Sequence, residues 1–143
     1  MNKKPSYYKD FIIGYKIASL WSSNDWSSND PNQTDYEFLD EKFDINDFDD
    51  DANQTIETDC IKFLQANHDD LVEYVDNVSY NSEECLSPYE VAGHDFWLTR
   101  NGHGAGFWDR NGIDDDLGNR LSDSSRSFGE CWIYVNDDQT LSI

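Results

Sequence analysis

Between positions 24 and 60 the chain places thirteen carboxylates against a single lysine, a net charge of −12 in one stretch. Like charges repel within such a segment, and large apolar residues are needed to offset chain entropy. The chain as a whole is rich in them: five Trp, eight Tyr and eight Phe occur in 143 residues, enough large apolar surface for one core but too short a chain for two. The chain reads as a single domain over 1–143, with a long, acidic, partly ordered loop at about 24–53. That loop is pinned to the core by Tyr36, Phe38, Leu39, Phe43, Ile45 and Phe48.

Periodicity assigns the remaining elements. Residues 6–21 set Tyr8, Phe11, Ile12, Tyr15 and Ser19 at helical steps, and Ile13, Ile17, Leu20 and Trp21 widen the apolar face. The pentapeptide Trp21-Ser22-Ser23-Asn24-Asp25 is then repeated by Trp26-Ser27-Ser28-Asn29-Asp30, a local duplication too short in period for a solenoid. From Thr55 a second helix is expected through Ile56, Cys60, Phe63, Leu64, Leu71, Tyr74, Val75 and Val78, kinked at Asn67-His68-Asp69. Ser87-Pro88-Tyr89-Glu90 carries an N-cap, a proline at the first helical position and a glutamate three residues after the cap, announcing a short helix that Gly93 closes. Leu117, Leu121 and Phe128 mark a helix ending at Gly129, and residues 131–135 with 140–143 read as a closing hairpin.

The densest stretch is 93–109, where aromatic residues flank Asn101-Gly102. Asn-Gly between such runs signals a tight hairpin, so residues 95–100 and 105–109 are expected to pair antiparallel. A phosphate loop is a poor alternative, because no Gly-Lys-Ser/Thr follows. The fold class is then α+β: three to four helices packed on a small antiparallel sheet of two hairpins.

Residues 92–109, Ala-Gly-His-Asp-Phe-Trp-Leu-Thr-Arg-Asn-Gly-His-Gly-Ala-Gly-Phe-Trp-Asp, resemble a signature of small proteins of unknown role encoded by tailed bacteriophages. Further landmarks of that resemblance are residues 18–23, Asp59-Cys60 with Phe63 and Ala66-Asn67, residues 117–121, and Phe128-Gly129-Glu130. The duplicated pentapeptide and the acidity of 35–59 are embellishments on it. The resemblance implies a phage origin and a bacterial cytoplasm as the site of action, and it brings no activity with it.

Charge narrows the function. A net of −20 repels nucleic acid and anionic membranes and attracts basic surfaces. No apolar run approaches the roughly 20 residues that span a bilayer, and the polar start Met1-Asn2-Lys3-Lys4-Pro5 leads into no signal-peptide core, so a cytoplasmic protein is expected. Cys60, Cys85 and Cys131, without a Cys-x-x-Cys pair, are read as reduced thiols that form neither a disulfide framework nor a zinc site, and no cofactor is called for.

Three functional readings follow. In the first, the chain is a binding protein that inhibits or redirects a basic DNA- or RNA-binding protein of host or phage, in defence, restriction or recombination. Asp44, Asp47, Asp49, Asp50, Asp51, Glu57 and Asp59 would dock on its groove in the manner of DNA phosphates. In the second, His94, Asp95, His103 and Asp109 form a small catalytic or metal site, the hairpin bringing His94 toward Asp109. In the third, Phe96, Trp97, Phe107 and Trp108 line a pocket in which Arg100, beside His103, anchors a small phosphorylated ligand.

Overall fold

A computed structural model of the chain describes residues 5–24, 38–80 and 87–143. The second copy of the duplicated pentapeptide, Tyr36 and Cys85 lie outside the described residues. Five α-helices dominate: α1 (Ser6–Trp21), α2 (Asp50–Ala66), α3 (His68–Asn77), α4 (Pro88–Arg100) and α5 (Asp115–Ser127). Two short strands, β1 (Tyr134–Val135) and β2 (Leu141–Ser142), pair antiparallel with Tyr134 opposite Ser142 and Val135 opposite Leu141.

This architecture overturns the expected α+β class and its sheet of two hairpins. Residues 95–100 are not a strand but the second half of α4, and 107–109 form a single 3-10 turn. Gly93 lies inside that helix instead of ending it. Every residue from Glu90 to Arg100 is buried, so α4 is the central helix, and a helix buried on all sides shows no amphipathic period. The Asn-Gly signal serves its C-terminus. Gly102, at φ 69°, takes the left-handed conformation just beyond the Asn101 cap, its amide donates to the Thr99 carbonyl (3.2 Å), and the His103 amide donates to the Leu98 carbonyl (3.0 Å). That pair of bonds is a Schellman motif, which needs glycine for the same reason a hairpin turn does.

The Ser87 cap is present, its hydroxyl accepting from the Glu90 amide at 3.2 Å. The closest crossing in the fold is that of α1 over α4. Phe11, Gly14, Tyr15, Ala18 and Ser19 give α1 a buried stripe at i, i+3, i+4, i+7 and i+8. A Cβ on Gly14 would collide with the Glu90 carbonyl oxygen, and one on Gly93 with that of Phe11, so the two backbones touch only because both positions are glycine.

The expected long helix from Thr55 is two helices. It begins five residues earlier, because Asp49 caps Asp50–Ala66 by accepting from the Ala52 amide at 2.7 Å. It stops at Asn67, whose side-chain amide donates to the Phe63 carbonyl (3.0 Å) and to the Ser124 hydroxyl (2.8 Å). The acidic loop is correspondingly shorter than 24–53 at its far end. Before α2, the segment around Phe48 lies along β2: the Leu141 amide donates to Asp47 (2.8 Å) and the Asp49 amide to Leu141 (2.7 Å), burying Phe48 and Leu141. At the loop's near end, Asn24 bridges Phe38. Phe11, Phe63, Phe96 and Phe107 stack at the centre of the core, with Phe63 and Phe96 4.2 Å apart between ring centroids. No helix among the described residues is long and apolar enough to cross a membrane.

Candidate functional site

Because α4 is buried on all sides, its charged residues need partners inside the protein, and Arg110 and Asp59 supply them to Asp95 and Arg100. Asp95, wholly buried, accepts a bidentate pair from Arg110, with Nη2 to Oδ1 at 2.8 Å and Nε to Oδ2 at 3.0 Å. The Tyr74 hydroxyl donates to the same carboxylate. Burial raises the Asp95 carboxyl pKa, against the opposing pull of Arg110 and Tyr74. Burial beside Asp95 likewise pushes the Tyr74 phenol well above its ordinary value, which keeps it a hydrogen-bond donor.

At the end of the same helix, Arg100 donates from Nη1 to Asp59 Oδ2 (2.9 Å) and to the Tyr15 hydroxyl (3.1 Å). Its Nε and Nη2 reach the carbonyls of Gly129 (2.9 Å) and Phe128 (3.1 Å). The guanidinium carbon lies over the rings of Phe96 (5.5 Å) and Phe128 (5.8 Å), within cation–π range of both. Four of its five N–H donors are therefore engaged inside the protein. Arg100 ties α4 to α2 and to the end of α5. Of the aromatic residues expected to line a pocket beside it, Phe96, Trp97 and Phe107 are core and only Trp108 is exposed.

The catalytic or metal constellation is split by the helix. Asp95 points into the ion pair with Arg110. His103 lies beyond the helix end, in a small recess with Trp97, Asn101 and Cys131. Among the described residues no three of His, Cys, Asp and Glu converge to hold a metal ion. His94 and Asp109, however, do share a wall, though α4 and the following turn bring them together, not a hairpin.

They line an open pocket of about 590 Å³ between α1, α4 and the 3-10 turn. Ile17, Trp21, Leu98 and Ala105 give it an apolar lining, and Asp40, His94, Asp109 and Arg110 a polar one. Trp21 stands edge-on to the His94 ring at 6.2 Å. Burial, and secondarily the Arg110 charge, lower the His94 pKa to about 4, so its imidazole is neutral at pH 7. The Asp109 carboxylate accepts from the Gly106 amide at 3.0 Å, which fixes the turn and leaves the side chain exposed at the rim. Sequence reasoning found His94 and Asp109 but not Arg110, Trp21 or Asp40. The available signal was Arg110 itself, an arginine directly after the aromatic run and fifteen positions from an aspartate in an apolar setting.

The expected docking acids divide by role. Asp44 and Asp47 hold a turn, the Asp44 amide donating to Asp47 Oδ2 and the Asn46 amide to Asp44 Oδ1, both at 2.7 Å. Asp49 caps α2 and also accepts from Asn136 (3.0 Å). Asp50 and Asp51 are exposed in the first turn of α2, where the helix dipole favours them. Glu57 is half-buried further along α2, and Asp59 is paired with Arg100.

The fold and site define a small, strongly acidic helical protein with a polar pocket against its central helix. No family model matches the chain, and neither a curated protein nor a solved structure matches it.

Proposed function

We propose that this chain is an accessory protein of a tailed phage that binds, and thereby inhibits or redirects, a basic nucleic-acid-handling protein. The phage origin rests on the resemblance carried by residues 92–109. The binding reading is carried by one observation: all four arginines are paired with aspartates, Arg100 with Asp59, Arg110 with Asp95, Arg120 with Asp70 and Arg126 with Asp123. Pairing offsets each arginine with a neighbouring carboxylate, so the net charge of −20 is expressed by the carboxylates left over. Asp50, Asp51, Asp115 and Asp116 are exposed examples, at the starts of α2 and α5. A surface of that sign speeds encounter with a basic groove and competes there with phosphates.

The test is binding of a partner captured from bacterial lysate, measured against salt and against duplex DNA. Asp47, Asp49, Asp50 and Asp51 are changed together to Asn, which keeps the α2 cap and the turn acceptor while removing four charges. Association is expected to slow roughly tenfold with little change in melting temperature. Affinity that ignores salt, DNA and the quadruple substitution refutes the reading.

A further inference from the structure

The pocket between α1 and α4 is absorbed neither by the core nor by the acidic surface. Its polar groups can be summed. Asp95 neutralises Arg110 through the bidentate pair, and Asp40 and Asp109 stand at the rim, exposed. His94 adds no charge at neutral pH. The pocket therefore carries a surplus of two carboxylates within a protein of net −20, and an anion would enter against both fields.

The rest of the lining is apolar and includes Trp21, 40% exposed. An indole and carboxylates in one pocket, with Ile17 and Leu98 as aliphatic lining, suit an alkyl chain that ends in a positive charge: the stem packs on the aliphatic residues, the cation meets the indole and the carboxylates. From this juxtaposition we infer that the pocket receives one arginine or lysine side chain of a protein partner, held by Asp109, Asp40 and Trp21.

This inference deepens the proposed function and rests on its basic partner, but the pocket has its own readout. The purified full chain is titrated with acetyl-arginine-methylamide while the indole N–H resonances are followed by NMR. The Trp21 resonance is expected to shift saturably, with those of Trp97 and Trp132 unmoved. The citrulline analogue, equal in shape and uncharged, is expected not to bind. Asp109→Asn retains an oxygen for the Gly106 amide and so preserves the turn; it is expected to weaken binding about three- to tenfold. Asp40→Asn acts in the same direction, and both variants should melt like the parent.

Equal binding of the citrulline analogue, equal shifts at all indoles, or stronger binding of phosphoserine amide would each overturn the inference. Binding of agmatine but not of the capped arginine would also overturn it, by making the ligand a free small cation. Failure here leaves salt-dependent partner binding, and its loss in the quadruple Asp→Asn variant, intact as evidence for the proposed function. Loss of those with the pocket still binding arginine would strike the proposed function instead.

Discussion

Replacing Arg110 with methionine isolates the ion pair that anchors α4. Methionine fills most of the space of the arginine stem, so the change removes charge and hydrogen bonds with little loss of volume. Asp95 is fully buried and then keeps only the Tyr74 hydroxyl. Breaking a buried pair by deleting one partner costs about 3–5 kcal/mol. Arg110 is 25% exposed, so water reaches its side of the pair, and about 3 kcal/mol is expected at pH 7. For a chain of this length that lowers Tm by roughly 10 °C.

The pH dependence distinguishes a lost charge partner from a packing defect. The Asp95 pKa is already raised by burial, and without the pull of Arg110 it rises further. A carboxyl whose folded pKa exceeds its unfolded value favours the folded state below the unfolded pKa, and that contribution is lost as pH rises through the folded pKa. Parent and R110M should therefore converge on acidification and diverge toward neutral pH. Urea unfolding of both at pH 5 and pH 7 reads the difference directly. A deficit below about 1 kcal/mol at pH 7, or one equal at both pH values, would refute the view that Arg110 offsets the cost of burying the Asp95 carboxyl.

Two further outcomes follow from the same helix. Gly93→Ala should destabilise by about 1–3 kcal/mol in urea, although alanine is the better helix former by about 1 kcal/mol, because its methyl meets the Phe11 carbonyl; a gain in stability would mean that α1 and α4 are not in backbone contact. The His94 ring should titrate near 4 by NMR, its neutral form contributing stability above the ordinary histidine pKa that is lost as pH falls through 4; a midpoint at or above 6.5 would place the ring in water.

Helices with one wet face were legible in the sequence. Residues 6–21 and the helix ending before Gly129 follow their apolar stripes, and Ser87-Pro88 marks the true start of α4. What failed was α4 itself. Its interior, Val-Ala-Gly-His-Asp-Phe-Trp-Leu-Thr-Arg, is buried on every side, so a helix and a strand are equally compatible with its pattern, and the aromatic content together with Asn-Gly tilts the reading to a hairpin. The glycines mislead for a physical reason. Gly93 is a close-approach residue and Gly102 a left-handed cap, and neither use has a local signature apart from the partner backbone or the preceding turn. The candidate site suffered in proportion. His94 and Asp109 were singled out for a hairpin register that does not exist, whereas their partners Trp21 and Asp40 come from distant segments.

The same construction explains where the charge resides. A helix wrapped on all sides that carries Asp95 and Arg100 must meet each with an opposite charge, and the chain uses Arg110 and Asp59 to do so. The other two arginines sit on α5, about half exposed, and are paired as well, with Asp70 and Asp123. Each pairing takes one positive and one negative charge out of the balance, so four pairings leave the net unchanged while offsetting every arginine locally. The acidity at the helix starts then has two consequences from one cause. Asp50 and Asp51 stabilise α2 through its dipole, and because every arginine is offset by an aspartate of its own, they also contribute to an outward negative field that salt screens.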